Sequence, residues 1–372
     1  MKRKGDALSG ILVLDKASGF GSTQAVGRIR YLMQAAKAGH GGTLDPLASG
    51  ILPIMLGDAT KLAHDLLEAD KSYEAQLHLG VTTDTEDREG TILQECPPIT
   101  DEATIRQACA QFVGPIDQVP PMYSALKKDG KPLYAYAREG IAFDLPARSV
   151  VIYEITVVSV AVPFVNIVVR CSKGTYIRSL ARDIGAALGC GAHLSALRRT
   201  QAGPLAGDQA FTITQLEAMS LDERRACLLP ADTLLSGVIR VDLSEADATR
   251  FCHGQRIRLN TNGSDLYQPE LHQDVLKLDD PHQSAPHQSA PHQQELHQPE
   301  PPETELQQDN EQSVRVYNGA QLLGLARFNA GLLSPSRILA NPFANKVTNK
   351  ITNKITKKQQ LSTSPSPNSL PN

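Results

Sequence analysis

The stretch "VVIYEITVVSVAVPFVNIVVRC", residues 150–171, decides the fold class. It is β-branched and apolar along most of its length and is interrupted near one position, Pro163, which cannot donate to a strand ladder. The reading is two strands joined near Pro163. Directly after it, "YIRSLARDIGAALG", residues 176–189, sets Ile177, Leu180, Ala181, Ile184 and Leu188 at helical spacing before Gly189 as a stop. Upstream, "SYEAQLHLG" alternates Tyr73, Ala75, Leu77 and Leu79 with Glu74, Gln76 and His78, which predicts a half-buried strand with Tyr73 on its apolar side. "STQAVGRIRYLMQAA" places Val26, Ile29 and Met33 on one helical face, with Ser22 or Thr23 as the expected N-cap. Strands mixed with helices, without a regular βαβ rhythm, predict an α+β domain rather than a doubly wound parallel sheet.

A chain of 372 residues that is 41% hydrophobic is long enough for two domains with real cores. It has no run of about 18 apolar residues, and its start, "MKRKGDALSG", is basic with no apolar stretch behind it. A cytoplasmic protein without membrane spans is expected. Six cysteines are scattered without a CxxC pair, which argues against a zinc ribbon or a disulfide scaffold. Cys190 and His193 form a CxxH, but two ligands without a second pair read as buried or incidental, so no metal is expected.

Beyond Ser236 the texture turns to short strands: "GVIRVDL", "QRIRLN", "SVRVYNG" and "QLLGLARF". They read as two halves of one small β-domain around an insertion. The net charge of −3 hides a strong asymmetry. Residues 1–260 carry 28 basic against 29 acidic side chains, residues 261–312 carry 1 against 11, and residues 313–372 carry 8 against none. The acidic segment, rich in Gln, His, Pro and Glu, cannot bury enough apolar surface to offset its ordering entropy and reads as disordered. His282, His287, His292 and His297 within it read as part of a solvated linker. Residues 341–372 read as a disordered basic tail.

The chemistry concentrates in "KAGHGGTLDPLASG", residues 37–50. GxxxxGK[ST] is absent, so this is no phosphate loop and no nucleotide cofactor is expected. Pro46 steers Asp45 away from the α region and presents its carboxylate. Alone, that is a turn; its company changes the reading. "GHGGTLDPLASGILPIMLGDATKL", "KSYEAQLHLGVTTDTEDREG", "VPPMYSALKKDGKPLYAYAREG" and "SKGTYIRSLARDIGAALGCGAHLSALRR" together resemble, in order and spacing, the bacterial tRNA pseudouridine synthase B (TruB) family. The likeness spans about residues 8–260 and 313–340.

The resemblance implies a pseudouridine synthase fold, with a central mixed, mostly antiparallel sheet flanked by helices. It implies a catalytic domain over 1–235 with a clamp-like RNA-binding insertion at about 118–148. A small β-barrel-like PUA module over 236–340 would follow, interrupted by the 261–312 insertion that the family does not ordinarily carry. The implied reaction isomerises uridine 55 in the TΨC loop of tRNA to pseudouridine, without cofactor or metal, by a monomeric enzyme. A carboxylate suits it, either trapping electron-poor C1′ or adding to C6 of the uracil.

Asp45 matches the family nucleophile and Arg178 the arginine that pairs with it. Tyr73 matches the residue that stacks on the uracil and is a candidate for the closing proton abstraction. Tyr176 and Leu197 match pocket walls. His40 matches the histidine that fills the space left by flipped nucleotides. Lys127, Lys128, Lys131 and Arg138 fall in the clamp as phosphate contacts, with Arg198 and Arg199 as further candidates. Lys16 matches a motif near the site whose part is more structural than chemical. Gly41 stands where many members have threonine, a variation expected to be tolerated. The rival readings are a guide-RNA-dependent synthase, disfavoured by the clamp segment, and a tRNA-folding chaperone acting chiefly by binding.

Overall fold

The computed structural model describes residues 6, 8–259, 266–267 and 311–339, the pair 266–267 by backbone alone. Its chain divides into two compact units, Met1–Leu235 and Ser236–Asn372. The histidine repeat at 282–297 and the basic tail at 341–372 lie outside the described residues.

The first unit opens with strand β1 (Gly10–Lys16), helix α1 (Ser22–Leu32), strands β2 (Ala38–His40) and β3 (Ser49–Leu56) and helix α2 (Ala63–Glu68). Strands β4 (Lys71–Leu79), β5 (Val81–Thr83) and β6 (Ile92–Glu95), helix α3 (Glu102–Ala110) and strand β7 (Gly114–Gln118) follow. A short hairpin, β8 (Lys127–Lys128) with β9 (Lys131–Pro132), leads into helix α4 (Leu133–Arg138). Next come β10 (Arg148–Ala161), β11 (Phe164–Cys171), helix α5 (Ile177–Ala187), β12 (Ala192–Ala202), β13 (Leu205–Ala206) and helices α6 (Ile213–Ala218) and α7 (Leu221–Ala226).

Nine of these strands form one sheet in the order β1-β3-β12-β4-β11-β10-β7, with β2 added on β3 and β13 on β12. All its pairings are antiparallel except one short parallel contact, where Arg198 and Arg199 of β12 lie beside Ser49 and Gly50 of β3. The mixed, mostly antiparallel sheet of the expectation is therefore present.

Burial explains the sequence patterns. In β4 alternate residues are buried, from Lys71 and Tyr73 through Leu79, because one face meets the core and the other is open. In β1, Leu12 and Leu14 enter the main core with Ile29 and Met33, while Ile11 and Val13 enter a second cluster with Ile51, Met55 and Leu66. Covered on both faces, β1 and β3 are continuous apolar runs rather than alternating ones. Helix α5 buries Ile177, Leu180, Ala181 and Ile184 and stops at Leu188, after which Gly189 adopts φ +74°.

Helix α1 corrects the expected cap. Gly21 holds the N-cap position, its N–H donating to Gln24 Oε1 at 3.0 Å. The Ser22 hydroxyl instead reaches across to the backbone of Leu44.

The second unit contains β14 (Ile239–Asp242), helix α8 (Glu245–Cys252), β15 (Ile257–Arg258), β16 (Leu266–Tyr267), β17 (Gln312–Asn318), β18 (Gln321–Asn329) and β19 (Leu332–Ile338). They form a curled, PUA-like six-stranded sheet in the order β15-β19-β18-β17-β14-β16, with β14 parallel to β17. Val241, Phe251, Ile257, Val314, Val316, Leu323 and Leu333 fill its core. Two parts of the 261–312 segment depart from the disordered reading. Leu266 and Tyr267 pair with Val241 and Arg240, and Gln312 opens β17. A Leu-Tyr pair suits a sheet edge even inside a polar segment. Among the described residues no helix is long and apolar enough to cross a membrane.

Candidate active site

Asp45 sits in the connection between β2 and β3, and that connection is over-determined. Asp45 O accepts from Ala48 N at 3.1 Å, closing a turn with Pro46 at its second position, where proline's fixed φ belongs. Ser22 Oγ donates to Leu44 O at 2.7 Å and accepts from Leu44 N at 2.8 Å. Ser18 Oγ donates to Leu47 O at 2.7 Å and Gly19 N to Pro46 O at 2.7 Å. The fully buried Lys16 ammonium donates to Ala17 O (2.9 Å), Phe20 O (2.6 Å) and Pro46 O (3.5 Å). Burial brings that ammonium down to about 8, Asp45 pulling it back up in part. Lys16 thus holds the loop from beneath and is not among the residues that line the cavity, in keeping with a structural part.

The Asp45 carboxylate, 35% exposed, meets Arg178 Nε at 2.9 Å. Arg178 is 5% exposed at the second position of α5, and its other nitrogens are committed too. Nη1 donates to Thr85 O at 3.1 Å and lies 3.6 Å from Asp87 Oδ2, while Nη2 donates to Tyr123 O at 2.9 Å. Asp87 is in turn fixed by Thr85 Oγ1 (2.7 Å) and Glu89 N (3.0 Å). The 84–91 loop is tied to β12 through Leu194 and to α5 by Glu86, which accepts from Ser179 Oγ at 2.8 Å and pairs with Arg182. Withdrawal from water pushes the Asp45 carboxyl above its usual range; Arg178 opposes this and Asp87 adds to it. A more basic carboxylate is a stronger nucleophile, and the guanidinium keeps its oxygens aimed.

A cavity of about 270 Å³ opens over Asp45, walled by Tyr73, Tyr176, Arg178, Leu197 and Arg199 among others. It is sized for one base and its ribose, not for a paired duplex. Tyr176 caps α5, and the side chain of the buried Gln118 holds its backbone on both sides, accepting from its N–H at 2.8 Å and donating to its carbonyl at 3.1 Å. Burial raises the hydroxyls of both Tyr73 and Tyr176 above the ordinary phenol value. At Tyr73 the positive charge of the Arg199 guanidinium pulls the other way.

The structure therefore brings together Asp45, Tyr73, Arg178, Tyr176 and Leu197. His40 lies off this cavity at the end of β2, with Nδ1 buried and unpartnered among the described residues. Burial, with Arg199 nearby, lowers its pKa, so it stands as a neutral ring. Arg199 is 1% exposed, which excludes the surface phosphate contact expected of it. Arg198, on the opposite face of the same strand, is engaged bidentately with Asp15 at 3.0 and 2.9 Å.

In the clamp segment Lys127 and Lys128 are exposed, Lys128 stacking over Phe143 at 3.8 Å. Arg138 stacks over Tyr134 at 5.4 Å, and Lys131 is paired with Glu139 at 2.6 Å. Cys190 is buried and His193 Nδ1 meets Val81 O at 2.9 Å. Sequence reasoning missed Asp87, Gln118 and Lys71, a buried lysine on the cavity wall that donates to the carbonyls of Leu66, Leu67 and Ala69. The "TDTEDREG" run offered Asp87 only as one acidic residue among several.

Comparison with known proteins agrees with this geometry. Residues 30–177 match the family described as TruB family pseudouridylate synthase (N terminal domain), and residues 178–236 match the tRNA pseudouridylate synthase B C-terminal domain. The chain is 57% identical over 254 residues to tRNA pseudouridine synthase B of Burkholderia mallei (strain NCTC 10247), covering 68% of this chain and 84% of that protein. It is 45% identical over 339 residues to tRNA pseudouridine synthase B of Ralstonia nicotianae, covering 89% and 94%. Among solved structures it is similar in fold to a chain of a Cbf5-Nop10-Gar1 complex, at a TM-score of 0.61 and 24% identity, over 89% of this chain and 85% of that one.

Proposed function

The chain belongs to the TruB family of pseudouridylate synthases and isomerises uridine in tRNA to pseudouridine; we propose that its target is uridine 55 of the TΨC loop and that Asp45 is the nucleophile. What carries the reading is the Asp45–Arg178 pair at 2.9 Å on the wall of a nucleoside-sized cavity that also holds Tyr73, Tyr176 and Leu197.

The nucleotide is flipped out of the folded loop into this cavity, because inside the stack its ring is out of reach of Asp45. Asp45 forms a transient bond to the nucleoside, at C1′ or at C6, and the C1′–N1 bond breaks with its electron pair passing to the uracil. The base turns and C5 bonds to C1′. Over the whole reaction one proton leaves C5 and one arrives at N1, so no external acid, base or cofactor is consumed. Tyr73 is protonated at rest, since burial holds its hydroxyl high. It serves as the relay, giving its proton to N1 and taking the one from C5, and ends as it began. Tyr176 and Leu197 wall the base, and the neutral His40 ring stacks beside the displaced nucleotides. Lys127, Lys128 and Arg138 supply phosphate contacts to the arm. The enzyme acts as a cytoplasmic monomer without metal.

Purified protein incubated with unmodified tRNA transcript and no added ligand tests the whole reading when pseudouridine is mapped by chemical labelling. Label at position 55, abolished in Asp45→Asn while tRNA binding stays intact, is the expected result. Label elsewhere redirects the substrate, and none at all removes the function.

A further inference from the structure

Arg199 is among the largest fully buried side chains of the protein, and among the described residues no carboxylate forms an ion pair with it. A desolvated cation without a counter-ion is costly unless its donors are met. Here they are met by neutral groups. Nε donates to Ile51 O at 2.7 Å and Nη2 to Gly42 O at 3.2 Å.

The backbone is built to allow this. Arg199 and Tyr73 are direct cross-strand partners of β12 and β4. Gly50, at φ +96°, lets β3 run so close that a Cβ there would lie 2.1 Å from Arg199 O, which brings the Ile51 carbonyl within reach of Nε. Gly42, at φ +110°, presents the loop carrying Asp45 to the same guanidinium. One buried cation thus anchors the nucleophile's loop and stands directly across the ladder from the relay tyrosine.

We propose that Arg199 is a positioning residue acting through Tyr73: from the facing position on β12 it is the counter-charge of the phenolate that exists between donation to N1 and capture of the C5 proton. The inference rests on the reading of Tyr73 as relay. In that interval the O–H electron pair remains on the phenolic oxygen and the proton resides on N1. The C5–H bond then breaks toward the oxygen, its electron pair restoring the ring. Arg199 forms no covalent bond and changes no protonation state.

The test compares single-turnover rates on tRNA transcripts made with ordinary uridine or with uridine deuterated at C5, for wild type, Arg199→Met and Arg199→Lys. Arg199→Met should slow pseudouridine formation about 100-fold, with tRNA affinity near wild type. Its deuterium effect should rise, because loss of the counter-charge falls on the C5–H step. Arg199→Lys, which retains the charge, should recover at least about 10-fold of that rate. A slower rate with an unmoved isotope effect, or a lysine variant no better than methionine, makes Arg199 merely structural and overturns the inference. Should thermal melting show that the methionine variant does not fold, Arg199→Gln, which removes the charge but keeps an amide donor, carries the same isotope comparison. Wild-type protein that forms no pseudouridine overturns the functional reading itself; wild-type turnover with unmoved variant isotope effects overturns this inference alone.

Discussion

The loop that carries Asp45 and the hairpin that carries Lys127 and Lys128 are both short, polar and functional, yet they are held in opposite ways. The Asp45 loop is fixed by buried donors on distant parts of the chain, Lys16, Ser22, Arg178 and Arg199, joined by the exposed Ser18. The hairpin is fixed locally. Asp129 and Gly130, at φ +51° and +79°, make the left-handed two-residue turn that matches strand twist, and its cations rest on neighbouring aromatic rings in water. The difference follows from what each must do. A nucleophile has to be placed to a fraction of an ångström, and buried hydrogen bonds are directional and unscreened. Phosphate contacts need only charge at the surface, where salt screens and geometry is forgiving.

The contrast fails or sharpens according to what substitutions do in each region. The largest effect belongs to Asp45→Asn, expected to lower single-turnover pseudouridine formation by about 10⁴-fold or more while a filter-binding Kd for tRNA changes little. Next comes the arginine behind it. Arg178→Met should cost about 10²- to 10³-fold in kcat.

The pH profile supplies a signed check on this pair. Only the ionised carboxylate reacts, and burial raises its pKa, so activity should fall on acidification earlier than for an ordinary carboxylate. Arg178 opposes that rise and Asp87 adds to it. The acid limb should therefore move to higher pH in Arg178→Met and to lower pH in Asp87→Asn; a shift of the same sign in both would break the account of the pair.

A smaller effect is expected on stability. A Cβ at Gly41 would stand 2.4 Å from Leu66 Cδ1 and 2.7 Å from Leu66 Cβ. Leu66 fills the space that a threonine at 41 needs, so Gly41→Thr should destabilise by about 1–3 kcal/mol in denaturant unfolding. The smallest effects belong to the hairpin. Lys127→Ala and Lys128→Ala should each weaken tRNA binding a few-fold and lower the slope of log Kd against log salt by about 1, without changing kcat. Lys131→Ala should do less, because Glu139 already neutralises it.

Much of this was legible in the sequence wherever one face of an element meets water. The alternation of residues 72–80 set both the strand and the inward side of Tyr73, and the helical spacing after Tyr176 set α5. Asp45 and Arg178 were legible from their motifs. What was hidden depends on register between distant segments. Arg198 and Arg199 look alike as "RR", but successive strand residues face opposite ways, so one reaches Asp15 at the surface and the other the buried floor of the cavity. Which is which follows only once β12 is paired with β4 and β3. Lys16 is similar: at the end of β1 its ammonium joins the carbonyls of Ala17 and Phe20 to that of Pro46, 30 residues away. Asp87 gains its partner through a loop–helix contact spanning some ninety positions, invisible to any local pattern. Ser22 misled because two roles competed for one hydroxyl, and the loop won over the helix cap.

The place of β12 in the sheet has a consequence for biosynthesis. It lies between β3 and β4, so the two halves of the sheet meet only through a strand made after both of them. A nascent chain halted before residue 192 would present two open strand edges with no partner between them, a template for intermolecular pairing. Truncations within that interval should be recovered as aggregates rather than as partially working fragments, and activity on the ribosome should begin only once the residues through about 202 have cleared the exit tunnel.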